Sequence, residues 1–316
     1  MGHDVLVTTP SFGQHAREPW EVFERAGVPV RTARAAHPLA EAQLIDEAAG
    51  ADALIVGLDP VTAAVLDAAP GLKVIAKHGV GTDNIDLAAA AAHGVRVVNA
   101  PGTNTTAVAD MAMALLLAAV RRIVPAHASV TGGGWDRFFG PELAGRTLGI
   151  VGFGRIGQAV ARRARGFDME IVAYDPHLPE AVFAEQGVRS VPLDDLLTTS
   201  DAVTLHLPVP SGGPLLGRAR LEAMKPGSCV INTARGGLVD EDALAELLHS
   251  GHIAAAGIDV FATEPPAGNP LLTAPNTVLT PHCSAFTHQA NAAMGGAVAA
   301  DVVRVLRGEA PVNAVV

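Results

Sequence analysis

The sequence predicts an α/β protein of two domains, each built around a parallel sheet. Short apolar runs alternate along the chain with alanine-rich stretches of helical length, which is the pattern of a parallel sheet covered by helices. The runs form two sets, one on each side of a long helical stretch, and 316 residues are enough for two domains. A glycine-rich turn opens the second set and indicates the type of its sheet.

Each predicted element is a short apolar run or a helical stretch bounded by turn residues. The predicted strands are 5–7, 53–56, 74–76 and 95–98 in the first set and 148–151, 171–174, 202–205, 229–232, 254–258 and 278–280 in the second. The stretch 104–122 is predicted to be a helix, and with the glycine-rich loop 131–134 it forms a candidate connector or dimer arm. The last segment, 287–307, has helical composition and no strands of its own, so we expect it to pack on the first domain.

Composition and charge exclude several classes of protein. Apolar residues make up 49% of the chain and the net charge is −10, so we expect no nucleic acid and no anionic membrane as partner. The apolar stretch 108–120 is too short to cross a bilayer and contains Asp110. Cys229 and Cys283 lack metal-ligand spacing, so we expect buried or partly buried thiols, no metal and a cytoplasmic protein.

The segment LGIVGFGRIGQAV, residues 148–160, has the pattern of a dinucleotide-binding turn. Gly152 allows a tight turn, Gly154 allows the backbone to approach a pyrophosphate, and Gly157 allows the helix to pack closely on its strand. Asp175 ends the next strand, where a carboxylate accepts hydrogen bonds from ribose hydroxyls and repels a 2′-phosphate. The turn therefore predicts a Rossmann-type doubly wound sheet and NAD as the cofactor.

Three ionisable residues each follow a predicted strand of the second set: Arg235, Glu264 and His282. The carboxyl ends of strands line the ligand crevice in open α/β sheets, so all three are candidates to face the nicotinamide. Arg235 can bind a carboxylate through two nitrogens. His282 can exchange a proton with a hydroxyl group, and Glu264 can orient its ring. This set suits hydride transfer from a 2-hydroxy acid, or to a 2-keto acid in the reverse direction.

Six phrases of the sequence resemble the D-isomer-specific 2-hydroxyacid dehydrogenase family, and they occur in that family's order. They are KHGVGTDNID (77–86), NAPGTNTTAVAD (99–110), ELAGRTLGIVGFGRIG (142–157), MKPGSCVINTARGGLVDEDAL (224–244), GIDVFATEPP (257–266) and TPHCSAF (280–286). The six motifs most resemble those of the short D-3-phosphoglycerate dehydrogenase-like members. The resemblance implies that Arg235, Glu264 and His282 are the catalytic set.

The resemblance also implies the remaining site residues and the domain arrangement. The loop of Lys77, His78, Gly79, Val80 and Gly81 would present backbone amides to the substrate carboxylate, which such a nest of N–H groups suits. The implied cofactor contacts are Gly152, Gly154, Arg155, Ile156, Gly157, Asp175, His206, Leu207, Thr233, Ala234, Asp259, Ser284 and Ala285. The expected architecture is a Rossmann-type NAD-binding domain, 101–286, inserted into a smaller flavodoxin-like substrate-binding domain made of 1–100 and 287–316. The family and the arm 104–140 indicate a homodimer.

The chain departs from the family pattern at two positions. Asp110 stands where many members have a glutamate, and Gly57 stands where phosphoglycerate dehydrogenases have an arginine after the corresponding strand. A substrate phosphate needs concentrated positive charge, which leaves Lys77 as the evident cation, with His78, Arg31 and Arg34 as supplements. Because the sequence ends at Val316, we also expect no serine-binding regulatory domain.

Three functions remain open on this basis. The first is an NAD-dependent D-2-hydroxyacid dehydrogenase that acts on 3-phosphoglycerate and 3-phosphohydroxypyruvate. The second is a reductase of glyoxylate, hydroxypyruvate or another unphosphorylated 2-keto acid. The third, from a different class, is a non-catalytic NAD(H)-sensing protein similar to a corepressor, and turnover separates it from the other two.

Overall fold

The computed structural model describes residues 3–316. The chain divides into two compact units, each with its own parallel sheet. Unit 1 is Met1–Asn104 together with Phe286–Val316, and unit 2 is Thr105–Ala285. Among the described residues, no helix has both the length and the apolar character that a membrane span requires.

Unit 1 is a five-stranded sheet in the order β2-β1-β3-β4-β5, with every neighbouring pair parallel. Its strands are β1 (Val5–Val7), β2 (Val30–Thr32), β3 (Ala53–Val56), β4 (Val74–Lys77) and β5 (Arg96–Val98). Its helices are α1 (Glu18–Ala26), α2 (Glu41–Ala48), α3 (Ala63–Ala68), α4 (Leu87–Ala92) and, at the end of the chain, α12 (His288–Leu306). This strand order is the flavodoxin-like arrangement.

Two layers of helices cover the unit 1 sheet. Residues of α2, α3 and α4 share one apolar core with the strands, and α12 packs against α1 and β4. Trp20 of α1 contacts the ring of Phe12 edge-on at 4.9 Å, and its indole nitrogen donates a hydrogen bond to the Gly13 carbonyl. Helix α12, from the end of the chain, thus belongs to the same compact unit as the first five strands.

Unit 2 is a seven-stranded parallel sheet in the order β12-β11-β10-β9-β6-β7-β8. Its strands are β6 (Thr147–Val151), β7 (Glu170–Tyr174), β8 (Arg189–Ser190), β9 (Ala202–Leu205), β10 (Ser228–Asn232), β11 (Ile253–Ile258) and β12 (Thr277–Leu279). Its helices are α5 (Thr105–Val120), α6 (Ile123–Thr131), α7 (Arg155–Arg165), α8 (Glu180–Glu185), α9 (Leu193–Thr199), α10 (Arg218–Ala223) and α11 (Glu241–Ser250). The order reverses between β6 and β9, which is the doubly wound Rossmann topology and confirms the predicted fold class.

Two apolar cores fill unit 2, one on each face of its sheet. Helices α5 and α7 pack together on one face, where Asp110 of α5 accepts a hydrogen bond from Arg163 of α7 at 2.5 Å. Helix α11 packs on β11 and on α10. The shorter acid at position 110 therefore reaches a partner on the neighbouring helix. Both cysteines are free thiols, Cys229 buried and Cys283 half-buried, as predicted.

Candidate active site

The strand order of unit 2 reverses beside the glycine-rich turn that follows β6. Gly152 has φ of +91°, and a Cβ there would lie 2.5 Å from the His206 carbonyl oxygen in the loop after β9. Only glycine fits this position, because a side chain would both collide and strain the backbone. The turn and the His206 loop thus meet at the topological switch point, where open α/β sheets bind ligands.

Helix α7 starts directly after the turn, and its first turn packs against the backbone of Gly152. A Cβ at Gly157 would lie 2.2 Å from the Gly152 carbonyl oxygen, whereas a Cβ at Gly154 would meet no protein atom within 4 Å. Arg155 is exposed and Ile156 is half-buried in the first turn of the helix. The amides of a helical first turn have no partner within the helix, so this end can bind an anion. The open space beside Gly154 leaves room for one.

Asp175 follows β7 and holds the turn through backbone amides. Its carboxylate accepts hydrogen bonds from the Phe153 amide at 2.9 Å and from the His177 amide at 3.0 Å. The side chain stays partly exposed, and carboxylate oxygens have further lone pairs for ribose hydroxyls. The amide of Phe153 is a contact that sequence reasoning missed, because the glycine pattern does not show which turn amide the acid binds.

His206 and Leu207 follow β9 on the other side of the switch point. The His206 Nε2 atom lies 2.9 Å from the Thr204 hydroxyl oxygen, and Nδ1 is buried without a hydrogen-bond partner among the described residues. Burial lowers the pKa of His206 to about 3, so the ring is neutral. A buried polar atom without a partner favours a ligand that supplies one.

Arg235 lies in the loop after β10, and Asn232 braces that loop. The Asn232 side chain donates to the Arg235 carbonyl at 2.8 Å and accepts from the Ala234 amide at 3.0 Å. The half-buried Arg235 guanidinium donates to the Ala234 carbonyl at 2.7 Å. The Thr233 hydroxyl is buried with no partner among residues 3–316. Asn232 was missed by sequence reasoning, although a buried asparagine at a strand end is a usable signal.

Glu264 and His282 form a hydrogen-bonded pair. The His282 Nδ1 atom lies 2.8 Å from Glu264 Oε2, and the Phe261 amide donates to Oε1 of the same carboxylate at 3.0 Å. Burial raises the pKa of Glu264, but hydrogen bonds from His282 and the Phe261 amide outweigh it and lower the pKa below its usual value. With Nδ1 facing the carboxylate, Nε2 is the His282 nitrogen left for a proton exchange.

His282 has φ of 51°, a left-handed conformation that is rare outside glycine. Its amide donates to the Asp259 carbonyl at 2.8 Å, and the Asp259 carboxylate anchors the residues on both sides of His282. Oδ1 accepts from the Thr280 hydroxyl at 2.5 Å and the Cys283 amide at 2.9 Å. Oδ2 accepts from the Ser284 amide at 2.9 Å and the Ser284 hydroxyl at 2.5 Å.

Asp259 is fully buried and both of its oxygens hold this loop. The resemblance implies that Asp259, Ser284 and Ala285 contact the cofactor, and the structure shows in addition what the Asp259 carboxylate does within the chain. Its four donors all come from Thr280–Ser284, so the carboxylate positions the His282 loop. Ser284 is buried against it, and Ala285 is partly exposed.

The Arg235 loop and the Glu264 loop touch at Gly236. A Cβ on Gly236 would lie 1.8 Å from the Phe261 carbonyl carbon, so the two backbones are in contact. Phe261 in turn donates its amide to Glu264. The structure therefore brings together two of the three strand ends that carry the predicted catalytic set, and the Glu264–His282 hydrogen bond ties in the third.

The loop Lys77–Gly81 lies in unit 1, at the end of β4, and only part of it is free to donate. The His78 amide donates to the Val56 carbonyl and the Gly79 amide to the Lys77 carbonyl, at 2.9 and 2.8 Å. Within the described chain, the amides of Val80 and Gly81 make no hydrogen bond. The amides left to bind a substrate carboxylate are those of Val80 and Gly81, because the His78 and Gly79 amides donate to carbonyl groups of unit 1.

Lys77 and His78 are both buried at this strand end. The Lys77 ammonium donates to the Gly57 carbonyl and to Asn84 Oδ1, the latter at 2.8 Å. Burial lowers the pKa of His78 to about 4, helped by the charge of Lys77, and the ring lies 3.1 Å from the Ser11 hydroxyl. Sequence alone did not show that the Lys77 side chain turns inward.

The unit 2 site fits a nicotinamide dinucleotide on several observations. Gly154 leaves space beside the first turn of α7, and Asp175 follows the next strand with a partly exposed carboxylate. The polar atoms His206 Nδ1 and Thr233 Oγ1, after β9 and β10, are buried without partners among residues 3–316. For a metal the result is different: among the described residues, no group of three His, Cys, Asp or Glu side chains is arranged to hold one.

The doubly wound sheet, the glycine turn and Asp175 define a dinucleotide-binding α/β protein. Residues 113–284 match the family model described as the NAD binding domain of D-isomer specific 2-hydroxyacid dehydrogenase. The chain belongs to the D-isomer specific 2-hydroxyacid dehydrogenase family, and its cofactor is NAD.

Relatives of the chain include proteins with two different names. It is 44% identical to a D-3-phosphoglycerate dehydrogenase of Methanocaldococcus jannaschii over 98% of its own length, and it spans 59% of that relative. It is also 44% identical to a glyoxylate reductase of Korarchaeum cryptofilum, over 88% of this chain and 86% of the relative. The crystal structure of the TT0316 protein of Thermus thermophilus superposes with a TM-score of 0.89 at 41% identity, covering 99% of this chain and 100% of that chain.

Proposed function

We propose that the protein is an NAD-dependent dehydrogenase of D-2-hydroxy acids. The observation that carries the proposal is the His282–Glu264 pair, 2.8 Å apart, at strand ends of the dinucleotide-binding unit. A histidine oriented by a carboxylate is the arrangement that exchanges a proton with a substrate hydroxyl. The family and the glyoxylate reductase relative, which has nearly the length of this chain, support the same reaction class.

Each site residue has a role in this reaction. NAD, when bound, would accept the hydride from the carbon that carries the hydroxyl group. The hydroxyl proton of the substrate goes to Nε2 of His282. Glu264 stabilises the imidazolium that forms. Arg235 binds the substrate carboxylate and polarises the oxygen on the reacting carbon. In the reverse direction His282 returns the proton to the new alkoxide.

The remaining predicted residues bind the cofactor and position the loops. Gly152, Gly154, Arg155, Ile156 and Gly157 form the phosphate turn, and Asp175 bonds the ribose, which favours NAD over NADP. His206, Leu207, Thr233, Ala234, Ser284 and Ala285 line the nicotinamide half. Asp259 and Asn232 are positioning residues, because their hydrogen bonds hold the loops of His282 and Arg235.

Unit 1 is the substrate-binding part in this proposal. Val80 and Gly81 offer free amides, which suit a substrate carboxylate. The substrate is a small 2-hydroxy or 2-keto acid, and the names of the relatives leave both a phosphorylated acid and an unphosphorylated one open.

The protein is proposed to work as a homodimer in the cytoplasm. Large apolar side chains on α6 and the segment after it are exposed, and we call this set the arm patch: Ile123, Val124, Val130, Trp135, Phe138 and Phe139. Several large apolar side chains exposed within one short segment favour a protein contact. Two unpaired thiols suit a reducing compartment.

The test is the initial rate of NADH and NADPH oxidation with a panel of 2-keto acids that includes glyoxylate, hydroxypyruvate, pyruvate and 3-phosphohydroxypyruvate. We expect turnover with NADH and a strong preference for it over NADPH. If NADH binds but no acid is reduced, the proposal fails and a non-catalytic NAD(H) sensor replaces it.

A further inference from the structure

We infer that unit 1 selects a substrate with an uncharged tail and discriminates against a phosphorylated one. This inference rests on the proposed function, since it assumes that the tail of the 2-keto acid reaches the carboxyl ends of the unit 1 strands. Ligands of open α/β sheets bind at that edge. The charges of the side chains there therefore decide which tail is accepted.

The lysine at this edge is already engaged inside the unit, and the nearby Arg31 points away from the edge. Lys77 is buried, and its ammonium donates to the Gly57 carbonyl and to Asn84. Arg31 pairs with Asp4 at 2.7 Å and with Glu47 at 3.6 Å. Asp4 precedes β1, so this pair holds the Arg31 guanidinium toward the amino ends of the strands. Turning Lys77 toward a substrate phosphate would break its hydrogen bonds, which costs free energy because the group is buried.

A buried carboxylate adds negative charge to the same edge. Asp59 Oδ1 accepts hydrogen bonds from the Leu39 amide at 2.8 Å and His37 Nδ1 at 3.1 Å, and Oδ2 accepts from the Thr8 hydroxyl at 2.5 Å and the Gly57 amide at 3.2 Å. Burial raises the pKa of Asp59, but these donors lower it to about 2. The carboxylate therefore stays ionised at any pH where the enzyme works.

Position 57 has no room for an added cationic side chain. A Cβ at Gly57 would lie 2.8 Å from His37 Cε1 and 2.8 Å from the Thr9 hydroxyl oxygen. The His37 ring is held there by its hydrogen bond to Asp59. The space that a longer residue at 57 would need is thus filled by two side chains of this chain.

The exposed side chains in the loops after β3 and β4 include two apolar ones, Leu58 and Val80, and two acidic ones, Asp83 and Asp86. Leu58 is 47% exposed and Val80 is 38% exposed. The exposed Arg34 after β2 has a carboxylate beside it, because its amide donates to Glu47 at 2.9 Å. A dianionic phosphate needs several converging cationic donors and is repelled by an ionised carboxylate. A hydrogen or hydroxymethyl tail, as in glyoxylate or hydroxypyruvate, fits this surface.

The first experiment compares hydroxypyruvate with 3-phosphohydroxypyruvate, which differ only by the phosphate. We expect kcat/KM for hydroxypyruvate to exceed that for the phosphorylated acid by at least about tenfold. Calorimetric binding of D-glycerate and of 3-phospho-D-glycerate to the protein with NADH, a combination that cannot react, gives a second readout that needs no turnover. Tighter binding or faster turnover of the phosphorylated compound overturns the inference.

A substitution tests the electrostatic cause. Leu58→Lys adds an exposed cation outside the Asp59 hydrogen bonds, and Leu58→Gln is the uncharged control of similar length. We expect Leu58→Lys, and not Leu58→Gln, to raise kcat/KM of the phosphorylated acid relative to hydroxypyruvate by about tenfold. The same ratio in both variants means that charge at this edge does not set selectivity, which overturns the inference.

The two proposals fail in different ways. Absence of turnover with every acid, together with tighter binding of D-glycerate than of 3-phospho-D-glycerate, removes the proposed activity and supports the selectivity. Turnover that favours the phosphorylated acid supports the activity and removes the selectivity. In that second case, loss of the preference for the phosphorylated acid in Arg34→Gln would show that Arg34 binds the phosphate.

Discussion

His282 is the residue on which the proposed chemistry depends most directly. Its Nδ1 atom is occupied by Glu264, its backbone is held by Asp259, and its Nε2 atom is left for the substrate. Sequence reasoning predicted the partnership of His282 with Glu264 from residue chemistry. It did not predict the anchoring role of Asp259, because a carboxylate after a strand looks the same whether it binds a ligand or a loop.

Replacing His282 by Ala should lower kcat by about 100-fold or more, because a positioned acid–base group contributes that much. Binding of NADH should change little, since the turn that binds the phosphates is untouched. Steady-state rates and fluorescence titration with NADH measure the two effects. His249→Ala, at an exposed histidine near the end of α11, is the control. Equal loss of NADH binding in His282→Ala would contradict a role confined to proton transfer.

Protonation of Asp59 makes unit 1 less stable as the pH falls in the acid range. The folded pKa of about 2 lies below the usual value of 3.8, so the stabilisation is complete above about pH 4 and is lost as the pH falls toward 2. The difference between these two pKa values corresponds to about 2 to 2.5 kcal/mol. Asp59→Asn should lose at least this much at neutral pH and show a shallower decline between pH 4 and 2.

Urea unfolding of both proteins across that pH range, in a Trp135→Phe background that leaves Trp20 as the single tryptophan, reports on unit 1 by fluorescence, because Trp20 packs on Phe12 within it. Asp201→Asn is a control in unit 2, where Lys225 and the Thr147 amide lower the pKa of that acid against the effect of burial. Parallel pH curves for wild type and Asp59→Asn would contradict the assignment.

At the scale of elements, strands with buried apolar side chains were predictable from the sequence and strands without them were not. The apolar runs at 5–7, 53–56 and 202–205 coincide with strands β1, β3 and β9. Strands β2 and β8 were missed, because they contain arginine, have no buried residue, and owe their conformation to pairing with a neighbouring strand. Helix α6 was missed because no residue in it is buried, so it lacks an apolar face directed at the core.

The glycine turn before α7 offers a matched pair of substitutions. Gly154→Ala should leave the melting temperature unchanged, since its Cβ meets no protein atom, and should weaken NADH binding by about tenfold because the methyl group stands where the pyrophosphate approaches. Gly157→Ala should destabilise the protein itself by about 1 to 3 kcal/mol, because its Cβ would lie 2.2 Å from a carbonyl oxygen. Thermal unfolding and NADH titration of both variants check this. Equal stability of the two variants would contradict the packing assigned to Gly157.

The contact between the Arg235 loop and the Glu264 loop can be tested at neighbouring glycines. Gly236→Ala would place a Cβ 1.8 Å from the Phe261 carbonyl carbon, so the two loops must separate. We expect kcat/KM to fall by about 100-fold, since small displacements of positioned groups are costly. Gly237→Ala is the control, because its Cβ would be 3.5 Å from Val209, an ordinary contact. Full activity in Gly236→Ala would show that this contact does not position the site.

At the scale of the whole molecule, the arm patch predicts self-association. Phe139 is 96% exposed and Trp135 is 76% exposed, and apolar side chains this large are rarely left in water. Sedimentation of the wild type should show a dimer, and Phe139→Glu should shift it toward the monomer. Leu272→Glu, at an exposed leucine of the turn Pro270–Leu272, is the control. A wild-type monomer at micromolar concentration would contradict the prediction.

The return of the last helix to the first sheet has a consequence for synthesis on the ribosome. Helix α12 packs against α1 and β4, yet it is translated after the whole of unit 2. Unit 2 is one continuous segment, Thr105–Ala285, and can acquire its native core as soon as it has emerged. The nascent sheet of unit 1 lacks its α12 cover until α12 itself has emerged. The amino-terminal strands are therefore made first but complete their fold after unit 2.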